Sequence, residues 1–206
     1  MFEAAGVAIF ALTGALVAAR KGMDPFGFIL LATVTGVGGG TLRDVLLGRG
    51  IFWVHNPGDV VICTIVALAA WALAYLRPGV LEGWAGRKLM LWSDAAGLSL
   101  FAVVGTLRGL DAAVPVLSAV ALGAMTATFG GILRDILAGD RPMVLWSRDF
   151  YVTAATAGAA MTALLTGLGL PVAIVVLGGL TAGFGLRAGS LLFGWSFPGL
   201  LRKAQD

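Results

Sequence analysis

The stretch that decides the fold is Gly38-Gly39-Gly40-Thr41-Leu42-Arg43-Asp44, because the chain repeats it ninety-one residues later as Phe129-Gly130-Gly131-Ile132-Leu133-Arg134-Asp135. In each copy a glycine pair stands three residues before an Arg-Asp pair, inside a long apolar segment. Glycine costs a helix interior about 1 kcal/mol relative to alanine, so adjacent glycines predict a kink or break there. A charged side chain in an apolar span costs about 2.5–3.5 kcal/mol on insertion scales and marks function by default. Two such motifs at one fixed offset imply an internal duplication with the site at its centre.

Composition fixes the solvent. The chain is 59% hydrophobic and 12% charged, with 31 glycines among 206 residues. A soluble domain is about a quarter charged. So few charges cannot cover a water-facing surface, and the chain reads as an all-α polytopic membrane protein. The net charge of +3 comes without any basic run, which removes nucleic acid as a partner. A single cysteine, Cys63, rules out an intrachain disulfide and a multi-cysteine metal site, and reads as a small apolar helix residue. The first segment lacks a basic leader, so it is expected to be a retained span.

Seven segments approach the roughly 20 apolar residues that a spanning helix needs: 2–19, 26–47, 60–76, 90–107, 113–138, 150–168 and 171–193. With the N-terminus outside, the inner loops and tail hold Arg20, Lys21, Arg77, Arg87, Lys88, Arg141, Arg148, Arg202 and Lys203, against Arg49 and Arg108 outside. That excess orients the chain, with its C-terminus cytoplasmic. The expected location is the bacterial inner (plasma) membrane.

The duplication extends along the chain. Glu3-Ala4-Ala5-Gly6 matches Asp94-Ala95-Ala96-Gly97, Phe10 matches Phe101, Gly14 matches Gly105, Thr35 matches Thr126 and Gly48 matches Gly139. Three spans per unit is an odd number, so the second unit enters the membrane from the opposite side. The expected fold is one transmembrane domain: repeat one over 1–89, repeat two over 90–169, a seventh helix over 170–195 and a short tail over 196–206. Inverted repeats place solute sites near the midplane, where interrupted helices of the two halves meet.

Thr35, Gly39 and Arg43 lie four residues apart and share one face of the second span; Thr126, Gly130 and Arg134 repeat that face in the fifth. The expected pore lining and hinge is Thr35, Gly38, Gly39, Gly40, Thr126, Gly130 and Gly131, with interrupted backbone freeing carbonyls for a cation or water. The alternative is that the glycines serve close packing and the threonines bond back to their own helices. Adjacent helix residues point about 100° apart, so the motif's charges are expected to pair across the pseudo-twofold, Arg43 with Asp135 and Arg134 with Asp44, as gate or structural clamp. Glu3 and Asp94 are read as acids at helix N-termini, with Ser93 as a cap. Trp53, Trp92, Trp146 and Trp195 read as interfacial anchors, with His55 beside Trp53 in an outer loop. Gly179, Gly183, Gly185 and Gly189 give small-residue packing spacing in the last span, where Arg187 is expected to snorkel to the inner end. No hydrolytic triad, metal cluster, phosphate loop or nucleotide fingerprint is present, which points away from an enzyme and calls for no cofactor.

The doubled Gly-Gly-x-x-Arg-Asp pattern and the three-plus-three-plus-one plan resemble the prokaryotic trimeric intracellular cation (TRIC) channels, which overlap with bacterial membrane proteins said to carry a glycine-transporter domain. The resemblance covers nearly the whole chain. It implies a homotrimer surrounded by membrane lipids, each subunit with a potassium-permeable pore lined largely by the second and fifth spans. No resident metal is implied, only K+ and other monovalent cations in transit. The alternative is a secondary transporter of a small solute such as glycine, using the same midplane site.

Overall fold

The computed structural model describes residues 2–146 and 149–196; the side chain of Trp146 and the residues Arg148, Arg202 and Lys203, invoked above, lie outside that description. Among the described residues the structure is helical, with seven long helices and two single turns. Repeat one comprises α1 (Phe2–Arg20), α2 (Pro25–Leu46), the turn α3 (Phe52–His55) and α4 (Gly58–Leu76). Repeat two comprises α5 (Trp84–Asp111), α6 (Val116–Leu137), the turn α7 (Met143–Trp146) and α8 (Tyr151–Gly167), followed by α9 (Val172–Phe193). Six of the long helices are apolar and long enough to cross a bilayer. The remaining one, α8, has 17 residues, at the lower edge of the roughly 17–25 that span a membrane.

Local chemistry sets the C-terminal ends of α2 and α6 alike, while their starts differ, since α6 follows Pro115 without a side-chain cap. Asp24 caps α2 by accepting from the Gly27 N–H at 2.7 Å, with Pro25 at the first position. α2 and α6 both end in a left-handed glycine, Gly48 at φ 62° and Gly139 at φ 71°, a conformation that penalises a Cβ. The chain then reverses into α3 or α7.

Two reciprocal contacts mark the pseudo-twofold between the units. The Phe10 and Phe101 rings, equivalent in the repeat, meet with centroids 5.1 Å apart. Where α2 crosses α6, a methyl group on Gly39 would overlap the Thr126 carbonyl oxygen, and one on Gly130 would overlap that of Thr35. The glycines therefore bring two antiparallel backbones into contact.

This corrects the expected break. α2 and α6 run as uninterrupted helix through Gly38-Gly39-Gly40 and Gly130-Gly131. The helix penalty of glycine is about 1 kcal/mol, which packing of the opposed helix readily offsets. α9 packs only on α5 and α8 among the described elements, leaving it outside the pseudo-symmetric pair.

Candidate functional site

Each Arg-Asp pair sits in the last turns of its helix, and each builds the same local structure. The Arg43 Nε donates to the Asp44 Oδ1 at 2.8 Å, with its Nη2 at 2.7 Å from the same oxygen. The Arg134 Nε donates to the Asp135 Oδ1 at 2.9 Å, with its Nη2 also at 2.9 Å. The second oxygen of each aspartate accepts a backbone N–H eight residues on, Phe52 for Asp44 and Met143 for Asp135, both at 2.9 Å. The motif thus fastens the reversal after its own helix. The backbone stagger between neighbours does not prevent this pairing, because a guanidinium on a three-carbon stem folds back over the next residue.

Cross-pairing is therefore absent. Gly39 faces Thr126 and Gly130 faces Thr35. Arg134 thus stands level with Leu31 of α2, about 18 Å along the axis from Arg43 at 1.5 Å per residue. Arg43 with Asp44, and Arg134 with Asp135, form separate clusters at opposite ends of the α2–α6 seam.

The third member of each cluster is an acid that the sequence reading assigned to helix capping. Glu3 Oε1 lies 2.8 Å from Arg43 Nη2, and Asp94 Oδ1 lies 2.9 Å from Arg134 Nη1. Asp94 is in the interior of α5, ten residues past its start, so neither it nor Ser93 caps that helix. Matched acids and matched arginines at one repeat offset were the available signal for this pairing.

The surroundings of the two clusters differ. At the first, Glu3 Oε2 accepts from Arg108 Nη2 at 2.8 Å, and the Arg108 side chain is 48% exposed. The Phe52 ring lies 5.7 Å from the Arg43 guanidinium. At the second, Arg134 and Asp94 are both fully buried, and Arg134 Nη1 also donates to Thr13 Oγ1 at 3.0 Å. Tyr151 is buried nearby: its hydroxyl and Arg134 Nη2 lie 3.1 and 3.6 Å from where a Gly131 side chain would begin. The Tyr151 ring carries the Arg187 guanidinium at 5.0 Å. Arg187 does not snorkel; it is fully buried, with Asp149 at 3.6 Å. Thr13, Tyr151, Arg108, Phe52 and Met143 were missed by sequence reasoning. Of these only Phe52 and Met143 share a repeat position, and they contribute backbone N–H groups, which any residue carries.

Between the clusters the two helices meet backbone to backbone at Gly39–Thr126 and Gly130–Thr35, and an apolar cleft of about 340 Å³ lined by Gly38, Thr41, Phe129 and Leu133 among others runs beside that contact. Thr35 and Thr126 are buried, and each hydroxyl donates to its own helix, to Leu31 O at 2.5 Å and Leu122 O at 2.6 Å. Gly38 faces Leu133, Gly40 faces the Phe52 ring, and Gly131 faces Tyr151. Beyond the second cluster lies a polar cavity of about 270 Å³ lined by Arg20, Arg87, Asp135, Asp140 and Arg141 among others. Lys21 pairs with Asp140 at its rim. Cys63 is buried among apolar residues, and no group of metal-ligating side chains occurs among the described residues.

A family model described as Glycine transporter matches residues 1–75 and 91–167, one match per repeat. The inner membrane protein YadS of Escherichia coli K12 is 39% identical over 154 residues, covering 74% of this chain and 72% of YadS. The solved structure of the TRIC trimeric intracellular cation channel orthologue from Rhodobacter sphaeroides is similar with a TM-score of 0.87 and 45% identity, over 94% of this chain and 97% of that one. A second solved structure, concerned with conductance through TRIC cation channels, gives a TM-score of 0.84 at 28% identity, over 98% and 97% of the two chains.

Proposed function

Given that the chain belongs to the glycine-transporter (TRIC) family of membrane proteins, we propose that it is a potassium-permeable monovalent cation channel, with a pore in each subunit of a homotrimer in the bacterial inner membrane. The likeness to a trimeric cation channel at 45% identity supports the class. The observation that carries the mechanism is the pair of Arg-carboxylate clusters at the two ends of one glycine-lined helix crossing. Buried charge at both ends of a seam through an apolar protein is costly to keep, and an ion path is what it serves.

The seam in this conformation is the closed state. When α2 and α6 separate, the Thr35 and Thr126 carbonyl oxygens, now against the opposite glycines, come to line the gap. A helical carbonyl keeps a second lone pair for a cation. Gly39 and Gly130 are where the backbones part, with Gly38, Gly40 and Gly131 alongside. Arg43 and Arg134 act as the electrostatic filters at the two mouths, each held by its carboxylates. The repeats at 1–89 and 90–169 act as the moving halves, with the seventh helix (170–195) and the tail (196–206) attached to the second.

Single-channel recording on the purified protein in planar bilayers tests this reading. Discrete potassium currents, independent of added solute, are expected. Accumulation of radiolabelled glycine against a gradient without unitary currents would replace the channel by a carrier, the activity that the family description names. Orientation is tested with cysteines at the exposed positions Gly50 and Asp111 in a Cys63-free background. Both should react with an impermeant thiol reagent from outside, and labelling at the exposed Glu82 instead would invert the topology.

A further inference from the structure

α5 is longer than the bilayer core requires, and its surplus sits at one end. Its 28 residues extend about 42 Å at 1.5 Å per residue, against a hydrocarbon core of about 30 Å. The apolar run begins near Leu89, so the first turns, carrying Trp84, Arg87 and Lys88, project into the headgroup layer. Those turns and α9 enclose a cleft of about 430 Å³. Its walls are Trp84, Arg87, Lys88 and Trp92 from α5, and Leu191 and Leu192 from α9. The Lys88 ammonium lies 5.0 Å from the Trp84 ring centroid, so cation and indole form one face. No carboxylate of the described residues pairs with Arg87 or Lys88. The cleft thus offers two cations that no described carboxylate pairs and two indoles at headgroup depth, above an apolar floor of leucine. It lies on the side of the membrane that the lysine and arginine excess assigns to the cytoplasm, whose leaflet surface is anionic.

We propose that this cleft binds one anionic phospholipid, its phosphate between Arg87 and Lys88 and an acyl chain along Leu191 and Leu192. A free anion would leave the leucine floor empty, and a zwitterionic lipid would leave one cation unmatched. The site has a consequence for conduction, which rests on the channel reading. Arg87 also lines the polar cavity that opens onto Asp135. A lipid phosphate on Arg87 offsets a positive charge at the inner mouth and favours cation entry.

The full-length oligomer is reconstituted with equal phosphatidylglycerol and phosphatidylcholine, re-extracted, and its retained lipids are counted by native mass spectrometry. Retention of phosphatidylglycerol by the wild type is expected. Arg87→Gln with Lys88→Gln should lower that preference about 30-fold, roughly fivefold per cation. Lys88→Arg should keep it, and so should Arg77→Gln, which removes an inner-loop cation away from the cleft. Oligomer mass and thermal midpoint establish that each variant is folded. Equal loss in Arg77→Gln overturns the proposal in favour of diffuse surface attraction. Displacement of the lipid by millimolar inorganic phosphate overturns it in favour of a free-anion site. The counting involves no current, so its outcome is independent of whether the protein conducts. In bilayers, phosphatidylglycerol should raise wild-type potassium conductance and leave Arg87→Gln unchanged; equal sensitivity in both removes the link to conduction while leaving the binding result standing.

Discussion

The first and second Arg-Asp clusters share a motif and a local geometry, yet the first reaches water through Glu3 and Arg108 while the Arg134–Asp94 pair of the second is dry. Around Arg43, two carboxylates (Glu3 and Asp44) face two guanidiniums, because Arg108 reaches in from the surface. Around Arg134, two carboxylates (Asp94 and Asp135) share one guanidinium, and Arg134 and Asp94 have no exposure. Asp94 Oδ2 has no hydrogen-bond partner, while Thr13 and Tyr151 close the space around the guanidinium. The position matching Arg108 in repeat one is Val17, and the position matching Tyr151 is Val60, so neither neighbour is shared by the two copies. The repeat carries the ion-pair core, and each copy's own neighbours decide how strongly water screens it. The strength of an ion pair is thus a property of its surroundings more than of its motif.

The largest expected effect follows from the dry cluster. Arg134→Ala leaves two carboxylates without their cation and should cost about 3–5 kcal/mol, the usual result of removing one partner from a buried pair. Arg43→Ala should cost less, because Glu3 keeps Arg108 and has access to water. Thermal unfolding of the detergent-solubilised protein ranks the two, and equal losses would break the contrast. The same measurement settles which residues are coupled. Adding Asp94→Ala to Arg134→Ala should recover part of the loss. Arg43→Ala with Asp135→Ala should be additive within about 0.5 kcal/mol, as expected for sites beyond 7–10 Å.

Next in size are the crossing glycines, which belong equally to both halves. Gly39→Ala and Gly130→Ala each press a methyl group into the opposite helix's carbonyl. Overpacking of this kind costs about 1–3 kcal/mol, against roughly 1 kcal/mol regained in helix preference. Both variants should lose stability and, on the channel reading, shift towards the open state because the methyl separates the seam. Gly38→Ala meets only the Leu133 Cδ1, at 2.8 Å, a side-chain end that can move aside. It should be near neutral. Increased stability at Gly39→Ala would restore the hinge reading of these glycines and remove the packing one.

These glycines show where sequence alone stops. A glycine pair in an apolar helix has one signature whether it bends its own helix or admits another, and only the second helix distinguishes the two. The seven long helices, the ninety-one-residue repeat and the doubled Arg-Asp pair were legible, because hydropathy and a fixed offset are properties of one chain read linearly. The partners were not. Glu3 meets Arg43, and Asp94 meets Arg134, across forty residues. Asp94 resembled a helix cap because the fourth span was placed from Met90, when α5 starts at Trp84, whereas Glu3 does lie in the first turn of α1 and turns its carboxylate to Arg43 from there. Arg187 was misjudged for a related reason: a cation near a span end ordinarily reaches for the interface, but here Tyr151 and Asp149 hold it inside.

The smallest expected effect tests the screening argument itself. Arg108→Ala removes a cation whose side chain is 48% exposed from a glutamate that still has Arg43. Exposed pairs contribute about 0.2–1 kcal/mol, so the fall in the unfolding midpoint should be slight at low ionic strength. It should vanish in about 1 M salt, where the Debye length drops to about 3 Å. The Arg134→Ala loss should persist across the same range, since mobile ions do not reach a guanidinium with no exposed surface. Midpoints of both variants and the wild type, recorded at about 0.05 M and about 1 M salt, place the two clusters on one scale. If the Arg108→Ala loss survived high salt, the first cluster would be dry as well. If the Arg134→Ala loss faded with salt, water and ions would already reach the second cluster, and that end of the seam would be open in the resting protein.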